Sequence, residues 1–458
     1  MRRLLLDTRP LHVSPAYRRL WWGLGLAQIG TMVTQVAVSL EIYEQTSSTF
    51  AVGILGIAAL VPLVVLGLYG GALADAFDRR TVALVSGVVM ISATVGLVVQ
   101  AALQLEQPWV LYLLVAIQSA GSAVNVPTRM SIIPRLVGRD LLPAANALGT
   151  LTGSLGLTVG PLLGAVLAAS VGYAATYALD VVLFGFALYA LLRLPAMPPG
   201  TPIAAAPGLP AAGPGSDDAA AVLPADPSAA DGEPAPRRQA GFAAVWEGLQ
   251  FLRTRPNLRT TFVLDIIAMV TAMPRVMFPA VGAVILGGGE TTTGGLTAAI
   301  AIGSVLASAL SGGLGRVRRQ GVAIVVAIVA FGVCAVGFGL ALMAAGRTSP
   351  SSLLVPVAIV AGLFLVGAGA ADAVSAVFRQ TVMQSATPDH LLGRLQGVFI
   401  VVVAGGPRLG DLVLGSAATR FGEASAAVGG GIVCILAVLA VAFLQRGFLR
   451  YDARHPTP

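Results

Sequence analysis

Apolar residues are arranged along this chain in long runs that short polar segments separate. A helix needs about 20 consecutive apolar residues to cross the hydrocarbon core of a bilayer. Runs of this length predict an all-α membrane protein with twelve transmembrane helices. The predicted helices lie at residues 19–41, 51–73, 80–103, 109–128, 144–169, 173–192, 260–284, 292–314, 320–345, 353–377, 395–418 and 424–445.

A long segment without any spanning run, residues 195–239, divides the helices into two sets of six. It is rich in Ala, Pro and Gly and carries several acidic residues, which predicts a disordered cytoplasmic linker. Beyond it, apolar residues from Phe242 to Leu252 recur at three- and four-residue steps, so we predict an amphipathic helix at the membrane surface. The predicted domains are an N-terminal tail (1–18), a first half (19–194), the linker (195–239), the amphipathic helix (240–256), a second half (257–446) and a C-terminal tail (447–458).

The two halves also share a weak internal repeat. A shift of 250 residues places Arg129 on Arg379 and Gly156 on Gly406. Parallel repeats of this kind build transporters whose halves rock about a central cavity. We therefore predict two pseudo-symmetric halves.

Composition agrees with a multi-pass membrane protein. The 458 residues are 56% hydrophobic and 11% charged, and the mean hydropathy is +0.85. All 28 basic side chains are arginines, and the net charge is +7. In a soluble protein this excess would suggest nucleic acid as a partner, but here the arginines stand at the ends of the apolar runs, mostly on one side of the predicted membrane. We therefore predict a cell-membrane protein with both termini in the cytoplasm and no nucleic-acid partner.

The chain offers little for enzymatic or metal chemistry. Its two cysteines, Cys334 and Cys434, lie in apolar runs and predict neither a disulfide nor a metal site. No nucleotide-binding motif, metal-ligand cluster or nucleophile constellation is present. A membrane enzyme or a non-transporting receptor is thus the least favoured class. We expect no cofactor.

The short loop GALADAFDRR, from Gly71 to Arg80, joins two of the long runs. It resembles the signature loop between the second and third helices of the major facilitator superfamily, and the resemblance extends over nearly the whole chain. It implies twelve helices in two six-helix halves, with Asp75 bonded to the start of the eleventh helix to hold the cytoplasmic side shut. Ala76 and Asp78 depart from the family pattern, so we expect a weaker latch.

The remaining predicted gate residues are basic. Arg79 and Arg80 either pair with acids such as Asp140 or Asp389, or serve only as topology anchors. We also assign Arg129, at the cytoplasmic end of the fourth helix, to this gate.

The fifth helix contains GLTVGPLLGAV, with small residues four positions apart and a proline. Such spacing permits close helix contact, and proline permits a bend. The stretch resembles the motif of the superfamily's exporters, in which the bend is thought to seal the cavity against leak; simple packing is the alternative. The motif residues are Gly156, Gly160, Pro161 and Gly164. Two further stretches, Ser131 to Leu148 and Phe378 to Val398, resemble the branch that contains enterobactin-type siderophore exporters and macrolide-efflux proteins.

Ionisable residues within membrane spans are costly and mark candidate functional sites. We predict that Asp265 and Asp372 bind protons or a cation. Arg275, Arg408 and Asp411 lie at similar depth, and either contact substrate or form a structural pair of Asp411 with one of the arginines. Because all three histidines lie outside the predicted spans, proton coupling would have to use carboxylates.

Polar stripes on two helices are candidate cavity walls. Gln28, Thr31 and Gln35 share one face of the first helix, and Gln118 and Asn125 share one face of the fourth. These side chains either contact substrate or join helices by hydrogen bonds.

These patterns together predict a secondary active exporter that moves a small amphipathic molecule, drug-like or siderophore, out of the cytoplasm by alternating access, driven by a proton gradient. The alternative within transport is a dedicated siderophore exporter whose anionic cargo is attracted by Arg275 and Arg408. We expect a monomer in the lipid bilayer.

Overall fold

The computed structural model describes residues 8–137, 141–197, 250–309, 317–350, 352–386 and 389–452. Within these ranges, the structure does not describe the side chains of residues 68–76 and 389–401 or those at the single positions 142, 143, 146, 147, 150, 154, 309, 384, 385 and 404. All regular secondary structure in the described ranges is helical. Most of the predicted linker and of the amphipathic helix lies outside them, so these two predictions remain predictions.

The helices follow the predicted order. Leu142–Leu192 is one continuous helical stretch, which we divide at Gly172 because its φ of 82° and ψ of 170° interrupt the helical path. We number the long helices as α1 (Pro15–Thr46), α2 (Thr49–Ala76), α3 (Arg79–Ala102), α4 (Pro108–Val137), α5 (142–171), α6 (173–192), α7 (Pro256–Ile285), α8 (Gly289–Ala309), α9 (Gln320–Ala345), α10 (Val355–Ser385), α11 (Asp389–Phe421) and α12 (Glu423–Leu444). This order confirms the predicted all-α membrane fold.

Several helices extend beyond their predicted limits at the end that we expect to face the cytoplasm. α4 continues to Val137, α10 continues to Ser385, and α11 begins at Asp389. A helix does not need to stop where the hydrocarbon core stops, because its backbone hydrogen bonds are made internally. Apolar runs therefore underestimate helix length.

α7 is the irregular helix of the bundle. It is α-helical over Pro256–Ala272, continues as a 3₁₀ turn over Pro274–Met277, and ends in a wide π turn over Val281–Ile285. Proline lacks the backbone N–H that the helix ladder needs, so Pro274 accounts for the break. The break lies at Arg275, one of the predicted site residues.

The outer surface of the bundle is apolar. Leu363 is 64% exposed, Phe443 67% and Leu444 77%. Ten stretches of the described residues are long and apolar enough to cross a membrane; one of them spans both α5 and α6. Exposed apolar surface on this scale belongs against lipid. The protein is therefore a multi-pass membrane protein.

The two halves meet along two seams, α2 against α11 and α5 against α8. At the first seam, a Cβ atom on Gly53 would lie 2.6 Å from the backbone oxygen of Asp411, and one on Gly56 would lie 2.5 Å from that of Arg408. At the second seam, Gly294 packs against Ala165. Glycine at these positions lets the helix backbones touch.

Polar contacts close the seam at the end of the bundle that carries the α1–α2 and α11–α12 connections. We call it the outer end, because the arginine distribution predicts that it faces outward. The Thr49 hydroxyl donates to Glu423 at 3.2 Å, and the backbone N–H of Phe50 donates to the Thr419 hydroxyl at 3.1 Å. Arg347 forms an ion pair with Glu423 at 3.1 Å. The halves are thus joined at the outer end.

Candidate functional site

A cavity of about 450 Å³ lies between the two halves. Its wall is built from α1, α2, α3, α4 and α5 on one side and from α7, α8 and α11 on the other. Most lining side chains are apolar or hydroxylic, including Met32, Leu55, Val115, Leu157 and Ile300. A pocket of this size and character suits a small amphipathic molecule.

The predicted polar stripes contribute only part of this wall. Thr31 and Gln35 of α1 and Gln118 of α4 line the cavity. Gln28 instead packs against Gly156 of α5. Asn125 is buried, and its Nδ2 donates to the backbone oxygen of Ala83 and to the Ser86 hydroxyl, each at 2.8 Å. Asn125 thus joins helices within the first half by hydrogen bonds, and Gln28 lies at the packing contact of α1 with α5.

Three charged residues of α7 and α11 lie in the cavity wall. Arg275 holds Asp411 in a two-point contact, with Nε at 3.2 Å from Oδ1 and a terminal nitrogen at 2.9 Å from Oδ2. Arg408 lines the cavity without an ion pair or hydrogen bond to any described residue. Two guanidinium groups and one carboxylate leave this wall with one excess positive charge.

The structure selects between the two pairings that the sequence allowed for Asp411. Its partner is Arg275 on the neighbouring helix, not Arg408 on its own helix. Gly410 packs directly on the backbone of Met269, so α7 and α11 touch just beside the pair. This close approach permits the fork-shaped contact that Arg makes best.

Asp265 and Asp372, the predicted proton sites, lie elsewhere. Both bind Arg379 of α10: one terminal nitrogen contacts Asp265, and the other lies 3.3 Å from Asp372. Arg379 and Asp265 are each 4% exposed at the side chain, while Asp372 is 34% exposed. Neither carboxylate lines the cavity. Two carboxylates and one guanidinium give this buried cluster one excess negative charge.

The repeat partner of Arg379 has a different environment. Arg129 lies 5.4 Å from the centre of the Phe184 ring, and its Nε and one terminal nitrogen are buried without a hydrogen-bond partner. The shift of 250 residues that relates the halves places Ser122 where Asp372 stands. Among the described residues, the ion cluster therefore has a counterpart in neither the sequence position nor the contacts of Arg129.

The predicted cytoplasmic latch is only partly visible. Gly71 and Asp75 belong to α2, but their side chains lie outside the described residues, as do Asp140 and the side chain of Asp389. Arg79 donates to the backbone oxygen of Ser131 at 3.0 Å, and Arg80 donates to that of Leu192 at 2.7 Å. Both arginines thus tie helices within the first half, and the latch itself remains a prediction.

Asp78, an atypical position of the same loop, has a definite structural role. Its carboxylate caps α3 by accepting from the backbone N–H of Thr81 at 2.9 Å. The other oxygen accepts from the N–H of Met197 at 2.6 Å, just beyond α6. Burial opposes ionisation, but these hydrogen bonds outweigh it and lower the pKa of Asp78 below its ordinary value.

The glycines of the exporter-type motif pack on α1. Gly156 and Gly160 lie against Gln28 and Met32, and a Cβ atom on Gly164 would lie 2.7 Å from the backbone oxygen of Val33. Pro161 lines the cavity, and its backbone oxygen is near Gly294 of α8. The motif thus joins α1, α5 and α8 beside the cavity.

Two six-helix halves around a central cavity are the architecture of alternating-access transporters. Solved structures share it: a D-xylose-proton symporter superposes with a TM-score of 0.67 at 13% identity, covering 93% of this chain and 96% of the symporter. The nucleoside transporter NupG gives 0.66 at 11% identity, covering 95% and 99%.

Comparison of the sequence with known proteins gives more specific relatives than the fold does. The family model described as "Transmembrane secretion effector" matches residues 9–204. The chain is 28% identical to "Enterobactin exporter EntS" of Citrobacter koseri, covering 99% of this chain and 97% of the relative. It is also 28% identical to the exporter of that name from Salmonella typhimurium, with 96% of each covered. These relatives and the shared fold agree with the resemblance to the major facilitator superfamily and its siderophore-exporter branch that the sequence motifs carry.

Proposed function

We propose that this protein exports a small anionic molecule of the siderophore type from the cytoplasm. The observation that carries the proposal is Arg408, a guanidinium in the cavity wall with no acidic partner among the described residues. An unpaired charge in the membrane interior costs at least about 2.5–3.5 kcal/mol. An anionic substrate would supply the missing counter-charge.

The rest of the wall fits the same class of substrate. Apolar side chains such as Leu55 and Ile300 can pack on aromatic rings, while Gln35 and Gln118 can bond to hydroxyl or amide groups. Arginine binds paired oxygen atoms through two parallel N–H groups, which suits a catecholate or a carboxylate. The relatives named as enterobactin exporters support this assignment.

Replacing Arg408 tests the proposal. In Arg408→Gln, export of an anionic catecholate siderophore should fall at least about tenfold, since a hydrogen bond to a charged group contributes about 1.5–3 kcal/mol. Export of a cationic dye should remain. Arg420→Gln is the matched control, because Arg420 is exposed on the same helix and lies outside the cavity wall. Flux in proteoliposomes is the measurement.

Equal loss of both substrates in Arg408→Gln would contradict the anionic assignment. Retained dye export with unchanged siderophore export would favour the second candidate, a general exporter of amphipathic drug-like compounds. The specific observation in its favour is the flexible methionine lining, Met32, Met90 and Met273.

We further propose that a proton gradient drives export and that the Arg379 cluster is the coupling site. One guanidinium cannot neutralise both Asp265 and Asp372, and Asp265 retains an oxygen that no described residue hydrogen-bonds. Uptake of one proton would neutralise the cluster. Its charge would thereby differ between two states of the transport cycle.

The proposal includes orientation and assembly. We propose that both termini face the cytoplasm, which the arginine distribution supports. The conformation is then closed to the outside, since Thr49 and Glu423 join the halves there. Because one chain supplies both walls of the cavity, we propose that the protein works as a monomer.

A further inference from the structure

Asp180 of α6 is a buried carboxyl group that the proposed coupling cluster does not include. The residue is 1% exposed, and α1 and α3 cover it. Thr34 of α1 donates its hydroxyl to Oδ2 at 2.7 Å. This is the one well-formed hydrogen bond that the carboxyl group accepts among the described residues.

The other contacts of Asp180 do not stabilise a negative charge. The Thr94 hydroxyl is 3.5 Å from Oδ2 but only 3.2 Å from the backbone oxygen of Met90, and its single proton serves one acceptor at a time. Oδ1 has no hydrogen-bond partner in the described part of the chain and packs against Gly30, where any Cβ atom would collide with it. An ionised carboxylate has about four acceptor sites, so most of these are empty here.

Among the residues that the structure describes, no counter-charge compensates for the missing hydrogen bonds. The groups that face the carboxyl are Gly30 and Thr34 from α1 and Thr94 from α3, and none of them is titratable. Among the described residues no arginine pairs with Asp180, in contrast to Asp265 and Asp411. A buried acid in this situation takes up a proton rather than remain charged.

Asp180 is also connected to the cavity. Thr34 lines the cavity wall, and so does Gln118, whose Nε2 donates to the Thr94 hydroxyl at 3.0 Å. Thr34, which is itself only 1% exposed, thus lies between the carboxyl group and the cavity. Gly30 gives α1 and α6 the close approach that this arrangement needs.

We propose that Asp180 binds a proton in this conformation and exchanges it with the central cavity through the Thr34 hydroxyl. In the exchange, the Thr34 hydroxyl first rotates so that its proton points to an acceptor in the cavity and its oxygen accepts from Asp180. Thr34 then passes on its own proton and receives the proton of Asp180, which becomes a carboxylate. A role for this proton in coupling rests on the proposed proton-driven export. The presence of the proton on Asp180 does not depend on that proposal.

Infrared difference spectroscopy of the full-length protein in lipid tests the proposal without any substrate. Protonated carboxylic acids have a C=O stretch that carboxylates lack. At neutral pH the native protein should show this band. Asp180→Asn should lose a component of it that Asp265→Asn keeps. A spectrum of Asp180→Asn that retains the full band would overturn the proposal.

A second variant keeps the test decisive if Asp180→Asn fails to fold. Thr34→Val removes the hydroxyl that bonds the charged form, so the Asp180 band should persist to higher pH. Thr128→Val is the control, because Thr128 is buried and bonds the backbone oxygen of Val124 in its own helix. An unshifted titration in Thr34→Val would overturn the proposed part of the Thr34 hydroxyl in the exchange. Since no gradient is applied, failure here leaves the proposed export standing, and failure of export leaves protonation of Asp180 standing.

Discussion

Asp78 shows how a single residue can replace a family feature with a different stabilising role. Asp78 departs from the pattern that the loop resembles, and we therefore expected a weaker latch. The carboxylate instead caps α3 and fixes the chain after α6 through Met197. It therefore secures the first half from within, whatever the strength of the latch between the halves.

Asp78→Ala should lower the stability of the purified protein by about 0.5–2 kcal/mol, the usual cost of losing a helix cap. Because the pKa of Asp78 is lowered in the folded protein, its contribution is complete above the ordinary pKa and is lost as the pH falls through the lowered one. The difference from native protein should thus shrink in acid. Thermal unfolding across pH measures it.

The control for this prediction is Glu106→Ala, an exposed acid in the α3–α4 connection for which the described residues show no hydrogen bond. It should unfold like the native protein. Equal melting of Asp78→Ala and native protein at neutral pH would show that the cap contributes nothing.

At the residue scale, the sequence left open what tertiary contacts decide. It allowed Asp411 to pair with Arg275 or with Arg408, and the choice of partner depended on how closely Gly410 lets α7 and α11 approach. The Arg379 cluster did carry a signal. Asp372 and Arg379 are seven residues apart and so share one helix face.

Helices pack in this bundle according to the positions of small residues. Gly156, Gly160 and Gly164 form one face of α5 that lies on α1, whereas Gly153 of the same helix has no atom within 4 Å of its missing Cβ. Contact between α5 and α1 therefore needs glycine at the first three positions but not at Gly153. The sequence pattern identified this face but not its partner helix, since spacing says nothing about which neighbour covers it.

Gly164→Ala should destabilise the protein by about 1–3 kcal/mol, because the added methyl group collides with the backbone of Val33. Gly153→Ala, the matched control, should be stabilising by roughly 0.5–1 kcal/mol through helix propensity alone. Apparent melting temperatures in detergent compare the two. Similar stabilisation by both changes would show that α5 does not depend on close packing here.

Helix existence was predictable from the sequence, and helix shape was not. Long apolar runs gave the order of all the helices, because the bilayer imposes that length. They did not reveal the break in α7, since a proline such as Pro274 bends or interrupts a helix only as its neighbours permit. The break matters because it lies at Arg275, in the wall of the cavity.

At the scale of the whole molecule, two charged clusters of opposite sign occupy different places in the second half. The cavity wall carries an excess positive charge at Arg408, and the buried cluster around Arg379 carries an excess negative charge. On the proposed mechanism, substrate and proton would thus bind to separate groups, although α7 contributes to both clusters through Arg275 and Asp265. The first half contributes the glycine-rich α5 and the uncharged polar side chains of α1 and α4.

The proposal that these clusters couple export to protons is tested most directly by flux of an anionic catecholate siderophore in proteoliposomes under an imposed pH gradient. Native protein should transport it only with the gradient. Asp265→Asn and Asp372→Asn should lose gradient-driven transport, because neutralising either acid removes the excess charge that takes up the proton. Transport that is independent of the gradient, or full coupling in both variants, would contradict the account.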